Sequence, residues 1–252
     1  MILEEYDNNR TAILNPPDFF EEIENFPKHC IGVFSHVVLK RMLDSFQCSE
    51  IAQLSTANGQ YSVWKLIYKD VPVAVYTALV GAPACAACME EIAAMGGRKF
   101  LYFGSCGVLD ASIPDGEIIV VDSAIRDEGT SYHYLPPSDE IVLDKHCISA
   151  VTSALDDWNI NYQTGKTWTT DAIYRETRDK LQNRVESGCK AVDMECSALA
   201  AVAQFRGYDF AQFVYSADNL GGEEYDKRSL SEQGRSGADL YIKAALEAVI
   251  RL

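Results

Sequence analysis

The chain has 252 residues, and its 22 Lys and Arg stand against 37 Asp and Glu, a formal charge of −15. A field of that sign argues against nucleic-acid binding, which rests on basic surface that releases counterions. No run approaches the roughly 18 to 20 consecutive apolar residues of a membrane-spanning helix, and the opening MILEEYDNNR has no apolar stretch of the kind a secretory leader needs.

With 48% hydrophobic residues the chain can bury a sizeable core, and no linker, repeat or low-complexity tract divides it. The expectation is one domain over residues 1–252, with residues 1–30 as an N-terminal extension packed on it. The eight cysteines lie mostly in apolar or small-residue runs, a pattern expected of reduced, buried thiols in a cytoplasmic protein. Cys85 and Cys88 form a C-x-x-C pair, but the surrounding APACAACMEEIAAM reads as helix and no second pair follows at zinc spacing. Packing is therefore the reading, and no metal is expected.

In chain order, strand-length apolar runs alternate with helix-length amphipathic stretches, the pattern of an α/β protein with a largely internal sheet. Ile31 to Phe34 is a short buried strand that opens into Ser35 and His36, and VVLKRMLDSF follows as helix. Val63 to Tyr68 and Val71 to Ala78 predict a hairpin turning at Lys69 and Asp70. Pro83 to Met95 predicts a helix with Pro in its first turn and a stop at Gly96-Gly97. Lys99 to Phe103 is a strand running into Gly104-Ser105-Cys106-Gly107, and Glu117 to Val121 is another after the turn Ile113-Pro114-Asp115-Gly116. Arg126 to Pro137 reads as a long loop of the kind that often carries function. Beyond it the sequence predicts helix over Leu143 to Trp158, strand over Lys166 to Thr170 and a strongly charged helix over Tyr174 to Glu186. A short strand, Ala191 to Met194, feeds a helix from Cys196 to Arg206. Strand Phe210 to Tyr215 and a closing amphipathic helix, Gly237 to Leu252, complete the chain.

Three polar segments follow predicted strands, where α/β sheets place their chemistry. In FGSCGVLD two glycines bracket Ser105 and Cys106, so that backbone N–H groups could converge on an anion; a plain tight turn is the competing reading. In Val192-Asp193-Met194-Glu195 an ionised Glu195 could accept from the vicinal hydroxyls of a sugar, or could simply favour the start of a helix. In Ser216-Ala217-Asp218-Asn219 the Asp218 carboxyl could serve as an acid, or could cap the next element.

Taken together, GSCG, then DMECSALAAVA, then SAD resemble the nucleoside phosphorylase and nucleosidase superfamily, of the purine nucleoside phosphorylase and uridine phosphorylase type. LVGAPACAACMEEIAAMGGRKFLYFGSCGVL, RDEGTSYHYLPP and TTDAIYRET extend the similarity from about Ile31 to the C-terminus. The resemblance implies a single α/β domain with a mixed, partly barrel-like central sheet flanked by helices, assembled as a homo-oligomer: a dimer, trimer or hexamer. It implies a pentosyltransferase that cleaves the N-glycosidic bond of a ribonucleoside, with inorganic phosphate as co-substrate and no cofactor. Carried onto this chain, it makes Asp218 the acid at the leaving base and Glu195 the ligand of the ribose hydroxyls, with Met194 under the sugar. Ser105 and Gly104 become the anion-binding turn, and Tyr174 and Ile173 the lining of the base.

Two segments depart from the family pattern. Tyr102 stands where an Arg usually precedes the GSCG segment, and Phe34-Ser35-His36-Val37-Val38 stands in place of a G-D-x-x-R phosphate loop. A phosphate dianion without guanidinium partners loses its bidentate hydrogen bonds. His36, at the end of the first strand, is the leading substitute, with Lys40, Arg41, Arg126 and His133 behind it. Three outcomes stay open on the sequence: phosphorolysis, phosphate-independent hydrolysis, and nucleoside binding without turnover. Whether the base is purine or pyrimidine is equally open, and Arg175, Glu176 and Arg178 are candidates to read its edge.

Overall fold

Five strands close on themselves to make the centre of the molecule in a computed structural model that describes residues 2–252. These are β5 (Lys99–Val108), β6 (Ile118–Asp127), β8 (Tyr162–Thr170), β9 (Cys189–Asp193) and β10 (Asp209–Asn219). β5 runs parallel to β10 and antiparallel to β9; β6 is antiparallel to β10 and parallel to β8; β8 is parallel to β9, which completes the ring. From β5 the sheet continues outward through β1 (His29–Val33), β4 (Val71–Thr77), β3 (Gly59–Tyr68) and β2 (Ser49–Thr56), while the short β7 (Glu140–Val142) pairs with β6. The α/β domain with a mixed, partly barrel-like sheet expected from the resemblance is therefore the observed architecture.

Helices cover both faces of this sheet. α2 (Ala82–Met95) and α5 (Cys196–Arg206) pack on one side, against Tyr76, Phe100 and Tyr102. Their small residues let them lie close to the strands and to each other, and nine of the eleven residues of α5 are buried. α1 (His36–Ser45), α3 (Lys145–Asp157) and α6 (Ala238–Val249) cover the opposite face, over Ile31, Leu101, Phe103 and Phe213. α4 (Arg178–Glu186) is mostly solvent-facing and buries only Leu181, in a small cluster with Trp168 and Val192. Before β1 the described residues form only two 3-10 turns, Ile2–Glu4 and Pro16–Asp18. Phe26 of this segment is buried in the core, and the N–H of Ile23 donates to the Met95 carbonyl at 3.0 Å. Met1 lies outside the described residues.

Local rules account for most element ends. Lys69 and Asp70 both take positive φ, 48° and 64°, as a two-residue hairpin turn between right-twisted strands requires. α2 stops at Gly96, whose φ of 134° lets its N–H return to the last turn of the helix.

Three segments differ from the sequence expectation. GSCG is not a turn: β5 continues through it, because Gly104 to Val108 find register partners in β10 and Gly107 and Val108 also pair with β9. β2 was not expected as a strand; it is an edge strand with only Leu54 buried, so its residues carry little apolar signal. The charged helix expected over Tyr174 to Glu186 is split into a 3-10 turn, Ile173–Arg175, and α4, which Thr177 caps by accepting from the Lys180 N–H.

Candidate active site

A cleft of about 590 Å³ opens at the carboxyl ends of the ring strands. Ser105, Cys106 and Gly107 reach it from β5, Val192 to Glu195 from the end of β9, and Asp218 from the end of β10. The segment after β8 supplies Ile173, Tyr174 and Glu176; Phe34 follows β1 and Val80 follows β4. Strand ends from across the fold thus converge on one ligand-sized volume, as open α/β sheets arrange their sites.

Glu195 sits at the junction of β9 and α5 and is only 5% exposed. Its Oε1 accepts the N–H of Gly81 at 2.6 Å, and its Oε2 accepts the N–H of Met194 at 3.3 Å. Burial and the charge of Asp193 push its carboxyl up to about 8 despite those two hydrogen bonds. Asp193 itself does not project freely. It accepts from Thr169 Oγ1 at 2.7 Å, Gln212 Nε2 at 2.8 Å and the Cys196 N–H at 2.9 Å, so it ties β8, β10 and the first turn of α5 together. Burial raises its pKa, and these donors oppose the rise.

Asp218 owes its direction to an irregularity in β10. The parallel register with β5 slips between Ser216 and Asp218, leaving Ala217 as the extra residue and placing Asp218 opposite Gly107. A Cβ on Gly107 would stand 2.5 Å from Leu220 Cδ1, 3.0 Å from Val192 Cγ1 and 3.4 Å from Asp218 Oδ1, so a side chain there would have to displace its neighbours. The Tyr225 hydroxyl donates to Asp218 Oδ2 at 3.1 Å. Burial raises the Asp218 pKa, while that hydrogen bond and the charge of Arg228 work against the rise.

Eight of the sequence candidates can be placed against this cleft directly. Ser105, Met194, Glu195, Asp218, Ile173 and Tyr174 all line it, the last two at the mouth, where Tyr174 is 96% exposed. Gly104 does not: it is buried in β5, and a Cβ there would lie 2.6 Å from the Phe34 Cβ, so its small size serves packing. His36 is an exposed residue in the first turn of α1 and is not among the lining residues.

Three of the other cations considered as substitutes, Lys40, Arg41 and Arg126, are engaged elsewhere, and His133 is not among the lining residues. Lys40 pairs with Asp44 and Arg41 with Asp239, both at 2.8 Å. The Arg126 guanidinium is buried, donates to Ser131 Oγ and to the Pro136 and Leu135 carbonyls, and stacks on Tyr132. The long loop after β6 therefore closes on itself, and Glu128 fastens it to α5 by accepting from the Ser197 hydroxyl at 2.8 Å. Arg178 clamps the far wall of the cleft by donating to the carbonyls of Leu220, Gly222 and Glu223. Among the described residues none that lines the cleft is Lys, Arg or His.

Tyr102 explains part of that absence. Its side chain turns into the core, fully buried, and shares a 2.9 Å hydrogen bond with the Tyr76 hydroxyl. A Cβ at Gly32 would sit 2.3 Å from its ring, so the glycine in β1 makes space for it.

Tyr225 and Glu176 line the cleft from outside the three motifs. Tyr225 follows Asp218 by one loop, and nothing in a Gly- and Glu-rich segment marked it. Glu176 stood among the charged residues offered as readers of a base edge, and the break at Thr177 turns it to the cleft. Among the described residues no group of three His, Cys, Asp or Glu side chains is placed to hold a metal, and no helix is long and apolar enough to cross a membrane.

Comparison with known proteins agrees with this fold. A family model described as the phosphorylase superfamily matches residues 30–250. The guanosine phosphorylase of Halorubrum lacusprofundi is 25% identical over 207 residues, covering 80% of this chain and 85% of that protein. The uridine phosphorylase of Escherichia coli is 25% identical over 210 residues, covering 78% and 82%. Among solved structures, the purine nucleoside phosphorylase of Toxoplasma gondii in complex with immucillin-H superposes with a TM-score of 0.78 at 22% identity, over 90% of this chain and 93% of that one. Uridine phosphorylase from Vibrio fischeri superposes with a TM-score of 0.77 at 20% identity, over 96% and 100%.

Proposed function

The chain belongs to the phosphorylase superfamily, and from that premise we propose that it cleaves the N-glycosidic bond of a ribonucleoside by phosphorolysis, releasing the free base and ribose 1-phosphate. The observation that carries this reading is the convergence of Ser105, Glu195 and Asp218 from three strand ends on one cleft.

In this reading the ribose lies over Met194, and its 2′- and 3′-hydroxyls donate to the Glu195 carboxylate. As the glycosidic bond stretches, positive charge grows on the sugar. In its ionised form Glu195, itself buried and with Asp193 behind it, favours that charge. Asp218, whose burial raises its pKa, gives its proton to the leaving base, at N7 for a purine, and so avoids expelling a strong anion. Tyr174 and Ile173 cover the base at the mouth of the cleft. Phosphate is the co-substrate and is held by the Ser105 hydroxyl and neighbouring backbone. The working form is a cytoplasmic homo-oligomer.

The test is base release from guanosine, inosine, adenosine and uridine, each with and without phosphate. Release that requires phosphate and yields ribose 1-phosphate is the expected result. Equal release without phosphate identifies a hydrolase, and binding without release identifies a nucleoside-binding protein; either outcome overturns phosphorolysis.

A further inference from the structure

A second cavity, of about 690 Å³, lies at the other end of the strands that carry the cleft. Ser105 to Gly107 and Asp218 stand toward the carboxyl ends of β5 and β10, whereas Arg98 directly precedes β5 and Tyr208 directly precedes β10. The N-terminal extension walls the cavity with Pro16, Pro17 and Phe20, and α2 adds Ala93 and Ala94, so much of its surface is apolar. Its polar groups are of two kinds. Arg206 and Glu90 answer each other: Nε and Nη2 donate to the carboxylate at 3.0 and 3.1 Å, and Nη1 donates to the Arg10 carbonyl at 3.0 Å. Arg98 has no such partner. Its Nη1 donates to the Ala93 and Gly97 carbonyls, both at 2.6 Å, and among the described residues its Nε and Nη2 find no acceptor and no carboxylate pairs with it. The Tyr208 hydroxyl, half-buried, also makes no hydrogen bond among the described residues; burial raises its pKa and the charges of Arg98 and Arg206 oppose the rise, which puts it near both guanidinium groups. Glu21 and Glu22, on the extension, are exposed, and their side chains have neither an ion pair nor a hydrogen bond among the described residues. One cavity therefore carries an unpaired guanidinium and two unpaired carboxylates that stand too far apart to pair with each other.

We infer that this cavity is a second binding site, for a short apolar peptide of dipeptide size, with its carboxylate on Arg98 and Tyr208 and its ammonium on Glu21 and Glu22. The site is independent of the nucleoside reading of the cleft. The charges select a zwitterion: a plain anion meets Glu21, Glu22 and Glu90 against Arg98 and Arg206, and a plain cation leaves the Arg98 guanidinium facing a like charge. Guanidinium N–H groups match a carboxylate as a fork, and the Tyr208 hydroxyl adds a further donor. The apolar walls take the side chains, as in most pockets of this size. A dipeptide separates its two charges further than a single amino acid does and fills more of the volume, so it can reach both walls at once. Bound there, it would tie the extension to the end of α2 and to the chain entering β5 and β10.

The experiment is calorimetric titration of the full chain with L-leucyl-L-phenylalanine, its N-acetyl derivative, its C-terminal amide and free L-phenylalanine. The proteins are wild type, the double variant Glu21→Gln with Glu22→Gln, and Tyr208→Phe; the first two substitutions fall at exposed positions and the third keeps the ring. The free dipeptide is expected to bind wild type with Kd below about 1 mM. Removing either terminal charge should weaken it about tenfold or more, the loss of a charge-assisted hydrogen bond. The double variant should bind the free and N-acetyl dipeptides alike and keep its preference for a free carboxylate. Tyr208→Phe should weaken the free dipeptide about three- to tenfold. Absence of saturable binding up to about 10 mM, equal binding of the free, acetylated and amidated dipeptides, or affinities unchanged in both variants overturns the site. L-phenylalanine bound more tightly than the dipeptide overturns the assignment of a peptide.

Discussion

The Glu195 Oε1 accepts the backbone N–H of Gly81 at 2.6 Å, which joins the β9–α5 junction to the turn that starts α2. Gly81 holds φ at 98° and ψ at 135°, a conformation that L side chains rarely adopt. A Cβ there would meet nothing within 4 Å, so the cost of a side chain is backbone strain and not a clash. Gly81→Ala is expected to cost about 1–3 kcal/mol and to lower Tm by roughly 2–4 °C per kcal/mol. Relaxation of the strain moves the N–H off Glu195, so KM for nucleoside should rise about tenfold, as loss of a hydrogen bond to a charged group implies. Thermal denaturation and steady-state kinetics check both. An unchanged KM with a lowered Tm would show that the contact does not position Glu195.

The same carboxyl makes stability depend on pH in an unusual direction. Glu195 titrates at about 8 in the folded chain against an ordinary value near 4.5. Between those values the folded chain keeps a proton that the unfolded chain has released, so this group's contribution to stability falls as pH rises from about 4.5 to about 8. Glu195→Gln removes the titration. The Tm of the variant minus that of the wild type is expected to increase from about pH 5 to about pH 8, while nucleoside cleavage is lost. A Tm difference that stays flat over the interval contradicts the assignment.

Much of this site was legible in the sequence because its residues sit at strand ends, and strands announce themselves by apolar runs. Asp193 to Glu195 follows Ala191-Val192, and α5 begins and ends where its Ala-rich pattern does. GSCG was legible as a special segment but not as strand, since small residues look like a turn until β10 and β9 are known to flank them. Glu176 and Arg178 illustrate a different gap. The sequence leaves both as charges at a helix start that could face a base or solvent, because the Arg178 clamp on residues 220–223 and the exposure of Glu176 to the cleft depend on partners more than 40 residues away. The loss of cationic partners was visible at Tyr102; that its hydroxyl would find Tyr76 inside the core was not.

Asp218 and Tyr225 separate two contributions to leaving-group protonation. Asp218→Asn keeps the shape but has no acidic proton, and should lower kcat about 10²- to 10⁴-fold, the usual range for a lost general acid, with a smaller change in KM. Tyr225→Phe removes a donor that favours the ionised carboxylate. The Asp218 pKa should therefore rise in the variant. Because the acid works only when protonated, the alkaline limb of the kcat profile should move to higher pH in Tyr225→Phe. A limb that moves down, or a profile that does not change, would place the Tyr225 hydroxyl outside the proton path.

Phosphate binding should be weak in this cleft. No Lys, Arg or His among the described residues lines it, and Asp193, Glu195, Asp218 and Glu176 all do. Without charge-assisted donors the dianion relies on neutral hydrogen bonds, each about half as strong. Half-saturation by phosphate above about 1 mM is expected, which corresponds to about 4 kcal/mol of binding. Micromolar saturation of the assembled protein would mean that a cation enters the site from outside the lining of a single chain.

Far from the cleft, Glu247 on α6 anchors the β3–β4 hairpin to the last helix. Its side chain is 1% exposed and accepts from the Tyr68 hydroxyl at 2.6 Å, Lys69 Nζ at 2.8 Å and Lys243 Nζ at 3.0 Å. Lys243 also lies 3.4 Å over the Trp158 ring, which brings the end of α3 into the same cluster. Burial alone would raise this carboxyl, but its three donors hold it at about 2, below the ordinary 4.5. The group therefore contributes stability that is present above about pH 4.5 and disappears as pH falls toward about 2. Glu247→Gln keeps the volume, leaves two ammonium groups without their counter-charge and should cost about 1–3 kcal/mol at neutral pH. The difference from wild type is expected to shrink as acid protonates Glu247, so denaturant midpoints at about pH 7, 5 and 3.5 should converge. Midpoints that differ by the same amount at all three values would mean that the ion cluster adds nothing beyond the packing of the glutamate stem.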